Sequence, residues 1–363
     1  MSACLPELPP DVPTHGFQIA PGRYIGEAFP CFIIAEVGQN HNGDMGMAKN
    51  LISLAVDCGA DCVKFQKTDV KSRFTKSVYT KPYSGRNSFG KTYGEHRENI
   101  ELTEENFIEL SKFAEAMGIY FTASGMDKPS IDFLNEIDVP FFKIGSADCN
   151  NIPLLRHACK YRRPLIVSTG MSSEDTVCTM YHEVLAHQKY LAILHCTSTY
   201  PTPPNKINLN VIKRYKELFP RAVIGYSGHE VGIDISVAAV AAGAKVLERH
   251  ITFDHDLPGS DHIASLEPEE LKNLVCEVRL IEEAMGSPKK QVQDCELPCY
   301  NKLGKTVVAS RYIAQGTIIE EDMLEVKVAE KKGWDPIKFY DLVGRKLNKD
   351  VEEDEVIQRE DVA

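Results

Sequence analysis

The sequence lacks a long uninterrupted run of apolar residues. No stretch approaches the ~18–20 apolar residues that a membrane-spanning helix needs. The N-terminal segment, MSACLPELPPDVPTHG, contains Pro, Glu and Asp where a secretory signal peptide has its apolar region. We therefore expect a cytoplasmic protein that has no membrane partner.

Closely spaced cysteine pairs are also scarce. The chain has 11 cysteines but no C-x-x-C pair, and only Cys58 with Cys62 and Cys295 with Cys299 lie near one another. A secreted scaffold held by disulfides is shorter and has a higher density of cysteine. The pattern favours buried thiols in a reducing compartment, which agrees with a cytoplasmic location.

Positive charge is in the minority. Lys and Arg total 41 against 52 Asp and Glu, which gives a formal net charge of −11 at pH 7. An acidic surface repels a phosphate backbone, so this balance argues against nucleic acid or an anionic membrane as the main partner. Small anionic substrates are not excluded, because a few local cations can dominate a single cleft.

From residue 31 onward, short apolar β-branched runs alternate with longer segments of helical periodicity. Eight such units in about 255 residues predict a closed (β/α)8 (TIM) barrel, an α/β fold. A doubly wound open sheet is the alternative, but no G-x-G-x-x-G follows the first strand. The predicted strands are 31–36, 62–66, 119–123, 141–144, 165–168, 191–196, 223–226 and 246–251, and the predicted helices are 45–58, 104–117, 152–160, 174–187, 209–218, 233–242 and 267–285.

Changes in composition along the chain suggest domain boundaries. We expect an N-terminal extension (1–30), the barrel (31–285), a linker of Pro and charged residues (286–300) and a small C-terminal β/loop domain (301–363). A domain of about 60 residues is marginally stable alone and tends to need a partner surface.

The long polar and aromatic segment 71–101, after the second strand, predicts a substrate lid or a dimer contact.

Polar side chains cluster where the predicted strands end, which is where barrel enzymes place their active sites. These residues are Glu36, Lys64, Gln66, Ser124, Lys143, Ser146, Ser168, His195, Ser227, His229, Glu248 and His250. A strand-end carboxylate such as Glu36 is typical of a general acid or base, or of a group that orients a substrate hydroxyl.

Two histidines form a candidate metal site. His229 and His250 follow adjacent strands, and Glu248 points the same way as His250 because side chains alternate along a strand. Such a set suits a divalent ion such as Mn²⁺, Zn²⁺ or Mg²⁺. The alternative is that each histidine only hydrogen-bonds a neighbour, and for His195 this structural role is favoured.

Lys64 and Lys143 lie on strands that should otherwise be apolar. A lysine inside a barrel must meet an anion or form a Schiff base, because burying an unpaired charge is costly. With hydroxyls at Ser146, Ser168 and Ser227, the two lysines predict a pocket for phosphate or carboxylate. A Schiff-base aldolase remains the alternative enzyme class.

The sequence resembles the sialic acid synthase family over nearly its whole length. The similar segments are IIAEVGQNHNGD (33–44), KFQK (64–67), FTASGMD (121–127), FFKIGSAD (141–148), IVSTGM (166–171), HCTSTYPTP (195–203), GYSGHEVG (225–232) and LERHITFD (247–254). KTYGEH (91–96) and KLGKTVVAS (302–310) are most similar to animal members. The C-terminal domain resembles the antifreeze-like (SAF) module of this family. A purely ice-binding or carbohydrate-binding role of that module is a further alternative, but it leaves the strand-end cluster unexplained.

The resemblance implies a metal-dependent condensation of phosphoenolpyruvate with N-acetylmannosamine 6-phosphate, which is the sugar that animal members use. It implies that His229 and His250 hold Mn²⁺ or Mg²⁺, that Glu36 and Glu248 manage protons, and that the enzyme is a homodimer. The substrate-binding residues that it implies are Lys64, Gln66, Ser124, Lys143, Ser146, Ser168, Tyr200, Ser227 and Asp261.

The chain departs from bacterial members of the family at two positions. Ser198 replaces an Asn in the motif around His195, and Val328 stands where those members present an Arg from the C-terminal module. For the 6-phosphate, charge and position suggest Lys91 or Arg97 in the long segment 71–101.

Overall fold

The computed structural model of this chain describes residues 16–363. The expectations for residues 1–15, namely the missing signal-peptide pattern and the first half of the N-terminal extension, lie outside the described residues. The chain divides into two compact units, one ending at Gly286 and one spanning Ser287–Ala363.

The first unit is a closed barrel of eight parallel strands, so the predicted (β/α)8 fold is confirmed. The first barrel strand, β3, pairs with the last, β10, and this pairing closes the barrel. The strands of this unit are β1 Phe17–Ala20, β2 Arg23–Ile25, β3 Phe32–Gly38, β4 Cys62–Lys67, β5 Tyr120–Gly125, β6 Phe142–Ile144, β7 Leu165–Ser168, β8 Leu191–Cys196, β9 Val223–Gly228 and β10 Val246–His250.

Helices follow the barrel strands, and local signals set their ends. In α5, Thr103 and Asn106 form a capping box, and Gly118 ends the helix with a φ of 78° that favours glycine. The helices of this unit are α1 Met45–Asp57, α2 Val70–Arg73, α3 Lys76–Tyr79, α4 Tyr93–Ile100, α5 Glu104–Met117, α6 Lys128–Glu136, α7 Ile152–Cys159, α8 Glu174–Leu185, α9 Asn210–Leu218, α10 Asp234–Ala241 and α11 Pro268–Met285.

A hairpin closes the N-terminal end of the barrel. Strands β1 and β2 pair antiparallel, and Phe17, Ile19 and Ile25 pack in one cluster with inward-facing barrel residues such as Phe32 and Phe141. The described part of the predicted N-terminal extension is therefore an integral part of the barrel unit. Its apolar side chains fill the N-terminal end of the barrel.

The segment 71–101 contains short helices joined by turns, although the sequence predicted no helix there. It contains α3 and α4 and the end of α2. Gly94 allows α3 and α4 to approach closely, because a Cβ at this position would overlap the ring of Tyr79. The segment thus places helical side chains above the C-terminal ends of β3 and β4.

The second unit is a small β and loop domain, as predicted. Its strands β11 Lys305–Ala309 and β12 Leu324–Val328 pair antiparallel, and Trp334 packs in its core. Two helices, α12 Leu297–Leu303 and α13 Phe339–Leu342, belong to this unit. Part of the segment predicted as a linker is therefore helical. Pro298 is tolerated there because it lies in the first turn of α12, where the missing N–H costs nothing.

The cysteines between residues 16 and 363 are free thiols. The prediction that they are buried is wrong for Cys276, Cys295 and Cys299, which are exposed, because they lie on the outer face of α11 and on the segment that leads into β11. The other described cysteines are buried or half-buried. No helix of the described chain has the length and apolar character needed to cross a membrane.

Replacing Phe107 by Ala should lower the free energy of unfolding by about 3–5 kcal/mol, because it leaves a cavity among packed aromatic rings. Phe107 is fully buried, with ring centroids of Phe65, Phe121 and Phe133 at 6.1–6.3 Å. Urea denaturation measures the change. Ile108→Ala, at a neighbouring position that is 39% exposed, is the control; an equal loss in both variants would contradict the prediction.

Candidate active site

A cavity of about 680 Å³ opens at the C-terminal ends of the barrel strands. It is lined by the residues that were expected to be catalytic, substrate-binding or metal-binding: Glu36, Lys64, Gln66, Ser124, Lys143, Ser146, Ser168, Tyr200, Ser227, His229, Glu248, His250 and Asp261. The sequence placed most of them at strand ends, which the barrel brings to one face, whereas Tyr200 and Asp261 were expected from the family resemblance alone.

Strand register explains which of these side chains meet. Glu36 on β3 is the register partner of Lys64 on β4, and Ser227 on β9 is the partner of Glu248 on β10. Lys143 on β6 pairs in the same way with Ser124 on β5. Register partners project to the same face of a sheet, so acids, lysines and hydroxyls form one inward-facing layer.

The floor of the cavity is a buried network of two lysines and two carboxylates. Lys64 Nζ lies 2.7 Å from Glu36 Oε2 and 3.9 Å from Glu248 Oε2, and Lys143 Nζ lies 3.4 Å from Glu248 Oε1. These side chains are at most 7% exposed. Hydroxyls complete the network. Lys64 donates to Ser124 Oγ and Lys143 to Ser168 Oγ, both at 2.8 Å, and Ser227 donates to Glu248 at 3.1 Å.

The two carboxylates differ in acidity. Burial raises the pKa of Glu36 to about 7, although Lys64 acts in the opposite direction. Burial acts in the same way on Glu248, but Lys143 and Lys64 outweigh it and lower the pKa of Glu248 below its usual range. Burial also lowers the pKa of Lys143. The floor therefore combines an ionised carboxylate with one that can exchange a proton near neutral pH.

The two predicted metal-site histidines stand together above this floor. Their ring centroids are 5.5 Å apart, and the ring of Tyr200 lies 4.0 Å from that of His229. His229 Nδ1 is 3.1 Å from the carbonyl oxygen of Thr197, which orients this ring. The buried Nδ1 of His250 has no hydrogen-bond partner in the described part of the chain, and the nearest carboxylate, that of Asp261, lies 3.9 Å from it.

These side chains fit a divalent ion with an open coordination sphere. Within residues 16–363 no group of three or more His, Cys, Asp or Glu side chains is arranged to hold a metal. A metal at this position would take ring nitrogens of His229 and His250 and obtain its other ligands from water and substrate. Catalytic ions commonly keep such open positions, and the Nδ1 of His250 is a buried nitrogen that makes no hydrogen bond among the described residues.

A buried ion pair behind the histidines was not found from the sequence. Arg249 and Glu230, each 1% exposed, meet at 3.0 Å. Glu230 also accepts from Tyr226 at 2.7 Å and Ser236 at 2.6 Å, and Arg249 donates to the carbonyl of Gly232 at 2.8 Å. The signal was a charged residue directly beside each histidine: Arg249 precedes His250 on β10, and Glu230 follows His229 in the loop after β9. The pair ties β10 to the loop after β9 and so fixes the positions of both histidines.

The structure also shows which of the remaining polar residues reach the cavity. His195, for which a structural role was favoured, bonds the carbonyl oxygen of Ile207 through Nε2 at 2.5 Å. Lys91 is exposed and does not line the cavity, whereas Arg97 does. Arg73 and Tyr93 also line the cavity.

Fold and site together define a barrel enzyme that holds small anions beside a pair of histidines. The NeuB family model matches residues 51–290, and the SAF domain model matches residues 304–363. The chain belongs to the NeuB family, in agreement with the resemblance of its motifs to sialic acid synthases.

Named relatives cover nearly the whole chain. It is 52% identical to N-acetylneuraminate-9-phosphate synthase of Homo sapiens, over 94% of this chain and 96% of the relative. It is 40% identical to the Drosophila melanogaster protein of the same name, over 90% of this chain and 94% of the relative. A crystal structure of N-acetylneuraminic acid (sialic acid) synthetase from Leptospira borgpetersenii, in complex with citrate, is 33% identical with a TM-score of 0.70, and the match covers 80% of this chain and 98% of that one.

Replacing Glu230 by Gln should lower the free energy of unfolding by about 3–5 kcal/mol, because the charge of Arg249 then stays buried without its partner. Chemical denaturation measures the loss. Glu174→Gln is a matched control in the ion pair with Arg214, where both side chains are about half exposed. We expect it to cost about 0–1 kcal/mol. A Glu230→Gln variant as stable as this control would show that the buried pair does not hold the loop.

Proposed function

We propose that this chain catalyses the condensation of phosphoenolpyruvate with N-acetylmannosamine 6-phosphate, which gives N-acetylneuraminate 9-phosphate and phosphate in sialic acid biosynthesis. The observation that carries the proposal is the buried floor of Lys64, Lys143 and strand-end hydroxyls in a chain of the NeuB family. The names of the relatives from Homo sapiens and Drosophila melanogaster support the same reaction.

The floor binds phosphoenolpyruvate. Its carboxylate and phosphate accept hydrogen bonds from the ammonium groups of Lys64 and Lys143, and Ser146, Ser168 and Ser227 add neutral donors. The lysines already meet Glu36 and Glu248 at 2.7–3.9 Å, so they are oriented before the substrate arrives. Such preorganisation lowers the cost of ordering the site when the anion binds.

The acceptor sugar binds above the floor, where Gln66, Tyr200 and Asp261 contact it. C3 of phosphoenolpyruvate attacks the open-chain aldehyde, water adds at C2, and phosphate leaves with cleavage of the C–O bond. Glu36 and Glu248 flank this centre, and one of them guides the water. His229 and His250 hold Mn²⁺ or Mg²⁺, which when bound polarises the aldehyde as a Lewis acid.

The proposal includes a homodimer in the cytoplasm. The free thiols of the described chain support a reducing compartment. The small size of the second unit supports the need for a partner surface.

Phosphate release tests the function. We expect release from phosphoenolpyruvate only when an acceptor sugar is present, at a high rate with N-acetylmannosamine 6-phosphate and at a lower rate with unphosphorylated N-acetylmannosamine. Release without any sugar would contradict the condensation, and equal rates on both sugars would contradict the preference for the 6-phosphate. Borohydride with pyruvate should label neither Lys64 nor Lys143; a trapped adduct would favour the Schiff-base aldolase.

Metal removal tests the role of the histidines. Thorough chelation should abolish phosphate release, and Mn²⁺ or Mg²⁺ should restore it. A paramagnetic resonance titration of free Mn²⁺ should show binding to the unmodified chain and its loss in the His229→Ala and His250→Ala variants. Activity that survives chelation would overturn the metal assignment whatever the titration shows.

A further inference from the structure

Arg97 is a buried cation that faces the cavity without a protein partner. It lies in α4 and is 6% exposed, and its Nε and Nη2 atoms have no hydrogen-bond partner between residues 16 and 363. Buried donors are nearly always paired, and an unpaired charged donor costs more than a neutral one. An orphaned guanidinium at a cavity wall therefore points to an anionic ligand.

A second guanidinium lies nearby. Arg73, at the end of α2, lines the same cavity and donates to Thr68 Oγ1 at 3.2 Å, while its guanidinium packs over the ring of Phe74. Burial and then the positive charge of Arg73 lower the pKa of Arg97, so the two cations repel each other in the absence of an anion. Tyr93, one helical turn before Arg97, adds a hydroxyl to the same wall.

The protein's own carboxylates act on this wall without forming ion pairs: Glu101 and Asp261 attract Arg97, and Asp148 attracts Arg73. Asp148 and Asp261 also line the cavity, but neither forms an ion pair within 4.0 Å with Arg73 or Arg97 among the described residues. The lysines of the floor, in contrast, already contact Glu36 and Glu248. Among the described residues, the two arginines are thus the cavity cations that have no ion-pair partner and can form one with a ligand.

We propose that Arg97 and Arg73, with Tyr93, form the subsite for the phosphate monoester of the acceptor sugar and determine the preference for the phosphorylated sugar. This inference rests on the proposed function. Phosphoenolpyruvate has three carbons, so its phosphate stays near the strand lysines of the floor. The acceptor carries its phosphate on C6, at the far end of the chain from the aldehyde, and so needs a second anion site on the wall.

The bidentate geometry of arginine suits a phosphate dianion. Two arginines that repel each other when the site is empty gain most from a ligand with two negative charges. An unphosphorylated sugar would leave both guanidinium groups unpaired. Discrimination therefore arises from the cost of the unpaired cations as well as from the new contacts.

Steady-state kinetics of Arg97→Gln and Arg73→Gln on both sugars test the subsite. We expect kcat/KM for N-acetylmannosamine 6-phosphate to fall by roughly 10–100-fold in each variant, which corresponds to the loss of a charge-assisted contact. The ratio of kcat/KM values for the phosphorylated and unphosphorylated sugars should fall about tenfold or more. The KM for phosphoenolpyruvate should change far less. Arg97→Lys, which keeps the charge but loses the bidentate geometry, should lie between the unmodified chain and Arg97→Gln.

Two matched controls remove a positive charge from the same segment without touching the cavity. Lys71→Gln changes an exposed residue of α2, and Lys91→Gln changes the exposed residue just before α4. Both should leave the sugar ratio unchanged. A fall in the ratio for Lys91→Gln and none for Arg97→Gln would move the subsite away from the arginines and overturn the proposal.

Other outcomes also decide. An equal fall of kcat/KM on both sugars in Arg97→Gln would indicate a structural role and contradict the subsite. If Arg97→Gln does not fold, an unchanged ratio of kcat/KM values in Arg73→Gln and Arg97→Lys would overturn the subsite. If the unmodified chain releases no phosphate with either sugar, the proposed function fails. Calorimetric titration with N-acetylmannosamine 6-phosphate then tests the subsite separately. Binding to the unmodified chain and its loss in Arg73→Gln would support the subsite, and no binding to the unmodified chain would overturn it.

Discussion

The structure depends on a constraint at the centre of the barrel, where two ammonium groups and two carboxylates are buried together. Neither charge type could stay ionised there alone, because the desolvation cost would shift its protonation. Pairing Lys64 with Glu36 and Lys143 with Glu248 reduces that cost and orients all four side chains. The strand register fixes where these groups meet, because Glu36 on β3 is the register partner of Lys64 on β4 and Ser227 on β9 is that of Glu248 on β10.

This arrangement resolves an apparent conflict between net charge and substrate. The chain carries a formal charge of −11, yet the proposed substrates are anions. The excess of acid describes the chain as a whole, whereas in the cavity two lysines and two arginines stand beside the carboxylates of Glu36, Glu248, Asp148 and Asp261, so cations and acids are equal in number there. Low dielectric inside the barrel strengthens these few cations relative to the distant, solvated carboxylates of the surface.

Much of the fold and of the cavity lining could be predicted from the sequence, because both depend on local pattern. Lys64 and Lys143 were conspicuous as charges within apolar strands, and their strand ends had to meet in a barrel. The ion pair of Arg249 with Glu230 could not be found in the same way, since it lies on the outer face of the strand and depends on how α10 packs. Helix α6 was not among the helices that the sequence predicted. The split in acidity between Glu36 and Glu248 required distances that no pattern supplies.

The hairpin of β1 and β2 has a consequence for the order of events. Because Phe17, Ile19 and Ile25 fill the barrel from below, the reaction chamber opens only where the strands end. A three-carbon donor on the floor and a sugar phosphate on the wall would therefore share a single entrance. A sugar that arrived first would obstruct the way to the floor, so the architecture favours sequential loading, donor before acceptor.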